Sequence, residues 1–193
     1  MKNLVALVLF ASCFFSCKQK NDQIYKFPQI GWTIELPKGF MVLDSSIVNT
    51  NHEKAKNIIQ SSTGKKLDDR QKKIVFAAKD KENYFSFSLT PFNESEDSSW
   101  QNLNQKTKAI LFEAAKKQFQ SGQLDSSTNV EIIDSISFNK FTVIEKNNNI
   151  IILNFSMLSK LYKGYNFEIN YLIKNEDVGI KIEKMLKNSR FSR

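Results

Sequence analysis

The sequence predicts an α+β fold in which helices cover an antiparallel β-sheet. Two observations carry this. The second half holds successive apolar-alternating stretches joined by turns of two or three polar residues, which can only join antiparallel neighbours. Three other segments show helical spacing and helix-start signals. With 41% hydrophobic and 25% charged residues, the 193-residue chain is ordinary for a globular protein and long enough for one sizeable core. Sixteen phenylalanines against 6 glycines and 3 prolines predict an aromatic core built from long elements.

The elements follow in order. In "GWTIELP", Trp32, Ile34 and Leu36 share one side and Thr33 and Glu35 the other, the pattern of a half-buried strand. Phe40 to Leu43 reads as a second short strand after the Lys38-Gly39 turn. Thr50 stands three positions before Glu53, a capping-box spacing that opens a helix to about Ser61. Ala55, Ile58 and Ile59 give that helix its apolar face, and Gly64 ends it. "KIVFAAK" and "YFSFSLTPF" form a hairpin about Asp80 to Asn83, with Phe85, Phe87 and Leu89 on one face. Ser98 or Ser99 caps a long helix from Trp100 to Gln120, whose apolar stripe is Trp100, Leu103, Thr107, Ile110, Leu111 and Ala114. Gly122 marks its end. Strands Val130–Phe138, Phe141–Lys146, Ile150–Leu161 and Tyr165–Ile173 then meander, with turns expected at Asn139-Lys140, at the triple asparagine beginning with Asn147, and at Lys163-Gly164. Asn175 caps a last helix, with Glu176 and Asp177 in its first turn and Lys184 and Lys187 near its end, as the helix dipole favours. Val178, Ile182, Met185 and Leu186 form its docking face.

With "GWTIELPKGF" near the start, a long central helix and "YKGYNFEINYLIKNEDVGIKIEKMLKNSRF" at the end, the chain resembles the PsbP-like family, named for an extrinsic photosystem II protein. The resemblance runs from about Phe27 to Phe191. It implies an α/β/α sandwich and a non-enzymatic binding or assembly role, and it carries over no metal or partner site.

The first residues point to a compartment. Lys2 precedes the apolar run Leu4–Phe10, small and aromatic residues lead to Cys17, and residues 18–22 are all polar. This is the build of a secretory signal, too short to span a bilayer. A cysteine at the cleavage point resembles the lipobox of bacterial lipoproteins. Cys13 has the better small residues before it, but cleavage there would leave Phe14 and Phe15 at the new start, so Cys17 is the expected lipid-attachment residue. An ordinary cleaved signal with an incidental cysteine is the competing reading. Residues 1–16 are thus read as a lipoprotein signal peptide, 17–26 as a lipidated tether, and 27–193 as a single globular domain. The mature chain then holds no thiol pair, and several buried acyl chains make attachment effectively permanent. The expected location is the cell envelope, anchored to the inner or outer membrane with the domain outside the cytoplasm.

The chemistry is sparse. The formal charge of +8 is spread out, and "KKLDDRQKK" at residues 65–73 interleaves acids with its bases, so a solvated loop explains it better than a binding patch. Nucleic acid is an unexpected partner outside the cytoplasm. His52 is the single histidine and has no cysteine nucleophile beside it. Glycine-rich phosphate loops and zinc spacings are absent from the sequence. "NESED" at Asn93–Asp97 lacks the alternating ligands and distal glutamate of a calcium loop, and an acidic loop before a helix explains it better. Trp32, Trp100, Tyr162, Tyr165, Phe167 and Tyr171 are read first as packing residues. No catalytic, cofactor-binding or metal-binding residue is assigned. The favoured function is a membrane-anchored interaction or assembly module with an envelope protein partner, which predicts a patch of exposed aromatics on a sheet edge or helix face. The alternatives are an envelope hydrolase using Asp68, Asp69 or Glu96, which must converge in a pocket, and a carrier with an internal cavity for an apolar ligand.

Overall fold

The computed structural model describes residues 24–64, 73–97, 99–118, 123–148 and 150–192. Its elements run β1 (Ile24–Phe27), β2 (Trp32–Glu35), β3 (Met41–Val42), α1 (Ser45–Thr63), β4 (Lys73–Ala78), β5 (Tyr84–Pro91), α2 (Glu94–Asp97), α3 (Trp100–Gln118), β6 (Gln123–Ile133), β7 (Ile136–Asn147), β8 (Ile150–Tyr162), β9 (Tyr165–Leu172), α4 (Glu176–Asn188) and β10 (Arg190–Phe191). A seven-stranded antiparallel sheet has the order β3-β4-β5-β9-β8-β7-β6, and a three-stranded sheet has the order β1-β2-β10. The α+β class is as the alternation predicts.

Period-two alternation assigns each strand residue to a face of the large sheet. One face carries Phe85, Phe87, Leu89, Phe138, Leu158, Phe167, Ile169 and Tyr171, packed with β2 residues Trp32 and Ile34 and with Val178, Ile182, Met185 and Leu186 of α4. Its centre is aromatic: the Trp32 ring meets Phe87 at 4.8 Å and Phe167 at 4.9 Å between centroids, both edge-on, an arrangement the ring quadrupole favours. The opposite face is covered by α1, through Val48 with Leu43, Phe76 and Ala78, and by the second half of α3, where Leu111, Phe112 and Ala115 meet Phe141, Val143, Leu153 and Met157.

Several boundaries differ from those the sequence predicts. Ile24–Lys26, expected in the tether, pair with Thr33–Glu35 as β1. Helix α1 starts at Ser45 because the Asp44 carboxylate accepts from Ser46 N at 2.8 Å; Thr50 lies inside it and donates to the Ser46 carbonyl. Gly64 closes it as expected, at φ 69° with its N–H on Gln60. The expected face residues Ala55, Ile58 and Ile59 have side chains outside the described set. Asn93–Asp97 contributes one unforeseen helical turn, α2, after Asn93 accepts from Ser95 N. Ser99 caps α3, accepting from Asn102 N at 3.2 Å.

The turn expected at Asn139-Lys140 is absent; both residues lie within β7, paired with β6 and β8. The reversal is at Asp134-Ser135, where both residues have positive φ (45° and 67°), the geometry of the tight hairpin turn. Tertiary structure selects it, since an Asp134 carboxylate oxygen accepts from Phe191 N at 2.6 Å. The Lys163-Gly164 turn and the Asn175 cap stand where expected. Asn83 ties two elements together by accepting from Lys174 N and Asn175 N, which docks the β4–β5 turn on the start of α4. Among the described residues, no helix is long and apolar enough to cross a membrane.

Candidate functional site

Helix α3 does not present the apolar stripe expected of its first half. The positions turned most fully inward there are Asn104 and Lys108, one helical turn apart and in line with Trp100. Facing them are the polar residues of β5, β8 and β9 that share one sheet face: Ser88, Ser159, Asn166 and Glu168. A chain of hydrogen bonds joins the layers. The Trp100 indole N–H donates to Asn166 Oδ1 at 2.9 Å, Asn166 Nδ2 donates to Glu168 Oε1 at 2.9 Å, and Ser88 Oγ donates to the other Glu168 oxygen at 3.4 Å. Asn104 Nδ2 donates to Ser159 Oγ. Buried polar groups need such partners, and here they supply them to one another.

Lys108 lies in the same buried row. It is 7% exposed, and burial holds its ammonium below the usual lysine value. A cleft of about 330 Å³ opens beside this seam, lined by Glu94, Ser99, Trp100, Gln101, Lys160 and Leu161. On the opposite sheet face, Lys140 meets Glu131 at 3.3 Å. Burial pulls Lys140 down, but Tyr171 and Glu131 outweigh it and hold the ammonium above its ordinary value.

The residues singled out from the sequence are scattered. Cys17, Cys13, Asp68 and Asp69 lie outside the described residues. Glu96 lies in α2, with its side chain also outside them. His52 sits half-buried within α1. Among the described residues, no three His, Cys, Asp or Glu side chains gather as a metal site would need. Trp32, Phe167 and Tyr171 are core residues, and Tyr162 and Tyr165 pack against that core. Trp100 is half-buried and spends its N–H on the seam. The exposed aromatic patch is not found among the described residues. The large apolar side chains they expose are aliphatic: Ile24, Met41, Val130, Ile132, Ile150, Ile151, Ile152 and Ile180. The polar seam was readable in principle, because Trp100, Asn104 and Lys108 recur every four residues and Asn166, Glu168 and Asn170 every two.

The architecture has a solved counterpart. The chain is similar to the solution structure of cyanobacterial PsbP (CyanoP) from Synechocystis sp. PCC 6803, with a TM-score of 0.53 over 93% of this chain and 99% of that one. The fold is PsbP-like. Sequence identity is 8%, so the likeness is one of fold. No family model matches the chain, and no curated protein matches it in sequence. In this PsbP-like fold the long helix α3 and the closing strand β10 flank the large sheet on opposite faces, α3 through the polar seam and β10 through Phe191 in the aromatic core.

Proposed function

We propose that this chain is a membrane-anchored envelope lipoprotein, attached through Cys17, whose PsbP-like domain is a non-catalytic interaction or assembly module for an envelope protein. The observation that carries this reading is strand β6. It is eleven residues long and forms the outer edge of the large sheet, with β7 as its one neighbour among the described strands. Val130 and Ile132 stand exposed on it. A long edge of this kind offers unpaired backbone groups to a strand from a partner, with alternate side chains to set specificity. The side chains of the polar seam support the same reading, since they are engaged in holding α3 to the sheet.

The test is cross-linking and affinity purification of the full-length protein from its own envelope, alongside Cys17→Ala and Val130→Glu variants. One stoichiometric partner, lost in both variants, is the expected result. Recovery of the chain alone overturns the module.

A further inference from the structure

The β7–β8 hairpin, with β6 beside β7 as far as Lys146, runs past the end of β9. β9 ends at Leu172, opposite Phe155, and Ile173 N donates to the Asn154 carbonyl. Beyond that point, Ile150 to Leu153 pair with β7 alone, and the tip projects about 13 Å past the end of β9, four residue steps along β7. The register slips between Glu145 and Lys146: Lys146 faces Ile151 and Glu145 faces Leu153, which leaves Ile152 as the extra residue of a bulge. The result is a tip with three consecutive exposed isoleucines, Ile150 at 70%, Ile151 at 44% and Ile152 at 38%. Beside them stand Lys146 and the exposed amides Asn147 and Asn148.

The chain enters the domain at the same end. β2 begins at Trp32 over Phe87 and Phe167 and leads to Phe40 over Phe85, so it runs toward the end where β9 finishes. β1 is antiparallel to β2 and pairs Ile24 with Glu35, which puts Ile24, itself 56% exposed, at that end. Seven residue steps separate Cys17 from Ile24. Fully extended they reach at most about 24 Å.

We infer that the Ile150–Ile152 hairpin tip is a second, non-covalent contact with the phospholipid surface, holding the domain end-on against the bilayer to which Cys17 ties it. This rests on the anchor reading above. The short tether keeps this end of the sheet near the headgroups, and the overhang spans about half of the tether's full reach. The chemistry of the tip fits the interface: isoleucines for the acyl boundary, asparagine amides for ester carbonyls, and the Lys146 ammonium for phosphate. Anchored so, strand β6 lies along the flank of the domain, where its edge remains open to a partner.

The test uses the full-length protein purified from its membranes and reconstituted in phosphatidylethanolamine–phosphatidylglycerol vesicles. Single-cysteine variants Ile151→Cys and Lys187→Cys are labelled with a fluorophore quenched by bromolipids. Lys187 is exposed near the end of α4, at the opposite end of the sheet. Bromolipid is expected to quench the probe at residue 151 several-fold more than the probe at 187. Equal quenching at the two sites overturns the inference. So does a residue-151 probe shielded from water but untouched by bromolipid, which would mean the tip meets protein. The parent chain tests the anchor separately: an acylated Cys17 sulfur takes up no label, so labelling of the parent overturns the anchor reading, and quenching at residue 151 is then read in a Cys17→Ser background, where it still decides the hairpin.

Discussion

The Trp32 indole N–H donates to Ser189 Oγ at 3.0 Å in the buried core, across 157 residues of sequence. Ser189 Oγ in turn donates to the Leu186 carbonyl at 2.7 Å, so one hydroxyl closes the end of α4 and satisfies the largest fully buried side chain. Removing the hydroxyl strands a buried donor, a change that costs about 1–3 kcal/mol. Ser189→Ala is therefore expected to lower stability by that amount in urea unfolding. Trp32→Phe with Ser189→Ala should cost less than the sum of the single changes, because both remove the same bond. Strict additivity would show that the bond contributes nothing.

Gly31 precedes β2 at φ +67°, and its carbonyl accepts from Ser192 N at 2.7 Å. A Cβ there would fall on the Ser192 hydroxyl and lie 3.1 Å from the Ser192 carbonyl oxygen. Gly164, at φ +79°, has nothing within 4 Å of the same position. Both Gly→Ala changes incur left-handed strain of about 1 kcal/mol. Gly31→Ala is expected to lose roughly 1–3 kcal/mol more as β10 is pushed away from β2. Equal unfolding midpoints for the two variants would contradict this.

Lys108→Met should stabilise the fold near neutral pH by about 1 kcal/mol, by removing the cost of burying an ammonium. The sign of the pH dependence follows from the depressed folded value. Between that value and the ordinary 10.5, the unfolded chain binds more protons, so the parent gains stability as pH rises. The advantage of the variant should therefore shrink as alkaline pH is approached. An advantage that stays constant would mean that Lys108 keeps its ordinary titration.

Glu145 is buried on β7, and its Oε2 has no hydrogen-bond partner among the described residues. Burial raises its pKa above the usual 4.5. The folded state then holds a proton that the unfolded state has lost, so the parent is penalised as pH rises from about 4.5 through the folded value. Glu145→Gln is expected to be neutral in stability below that window and stabilising above it, on the order of 1 kcal/mol at pH 7. Thermal unfolding across pH 4 to 8 checks it, and a variant less stable than the parent at pH 7 would count against it.

Most of the fold was legible because burial leaves a period in the chain. Phe85-Phe87-Leu89 and Trp32-Ile34-Leu36 declare strands, and Val178-Ile182-Met185 declares a helix face. The misplaced features are those settled at a distance. Asn139-Lys140 looks as turn-like as Asp134-Ser135 until Phe191 arrives to bond the Asp134 carboxylate. Asp44 and Thr50 offer competing helix starts, and the Asp44 bond to Ser46 decides between them. The polar seam is masked in the sequence by the apolar residues that also recur along α3, whereas Asn104 turns to a sheet surface made polar by Ser159, Asn166 and Glu168. The exposed isoleucines at 150–152 read as an ordinary strand because a bulge and a short neighbour, which bring them to the surface, leave no local trace.

The small sheet has a kinetic consequence. β2 lies between β1, its neighbour in sequence, and β10, which follows α4. The aromatic core on that side closes only when Phe191 stacks on Trp32. A chain emerging N-terminus first can form the β1–β2 ribbon at once, but Phe191 must have emerged before that ribbon is covered. Long-range closure of this kind slows folding, and until it occurs the aromatic core stays uncovered on that side.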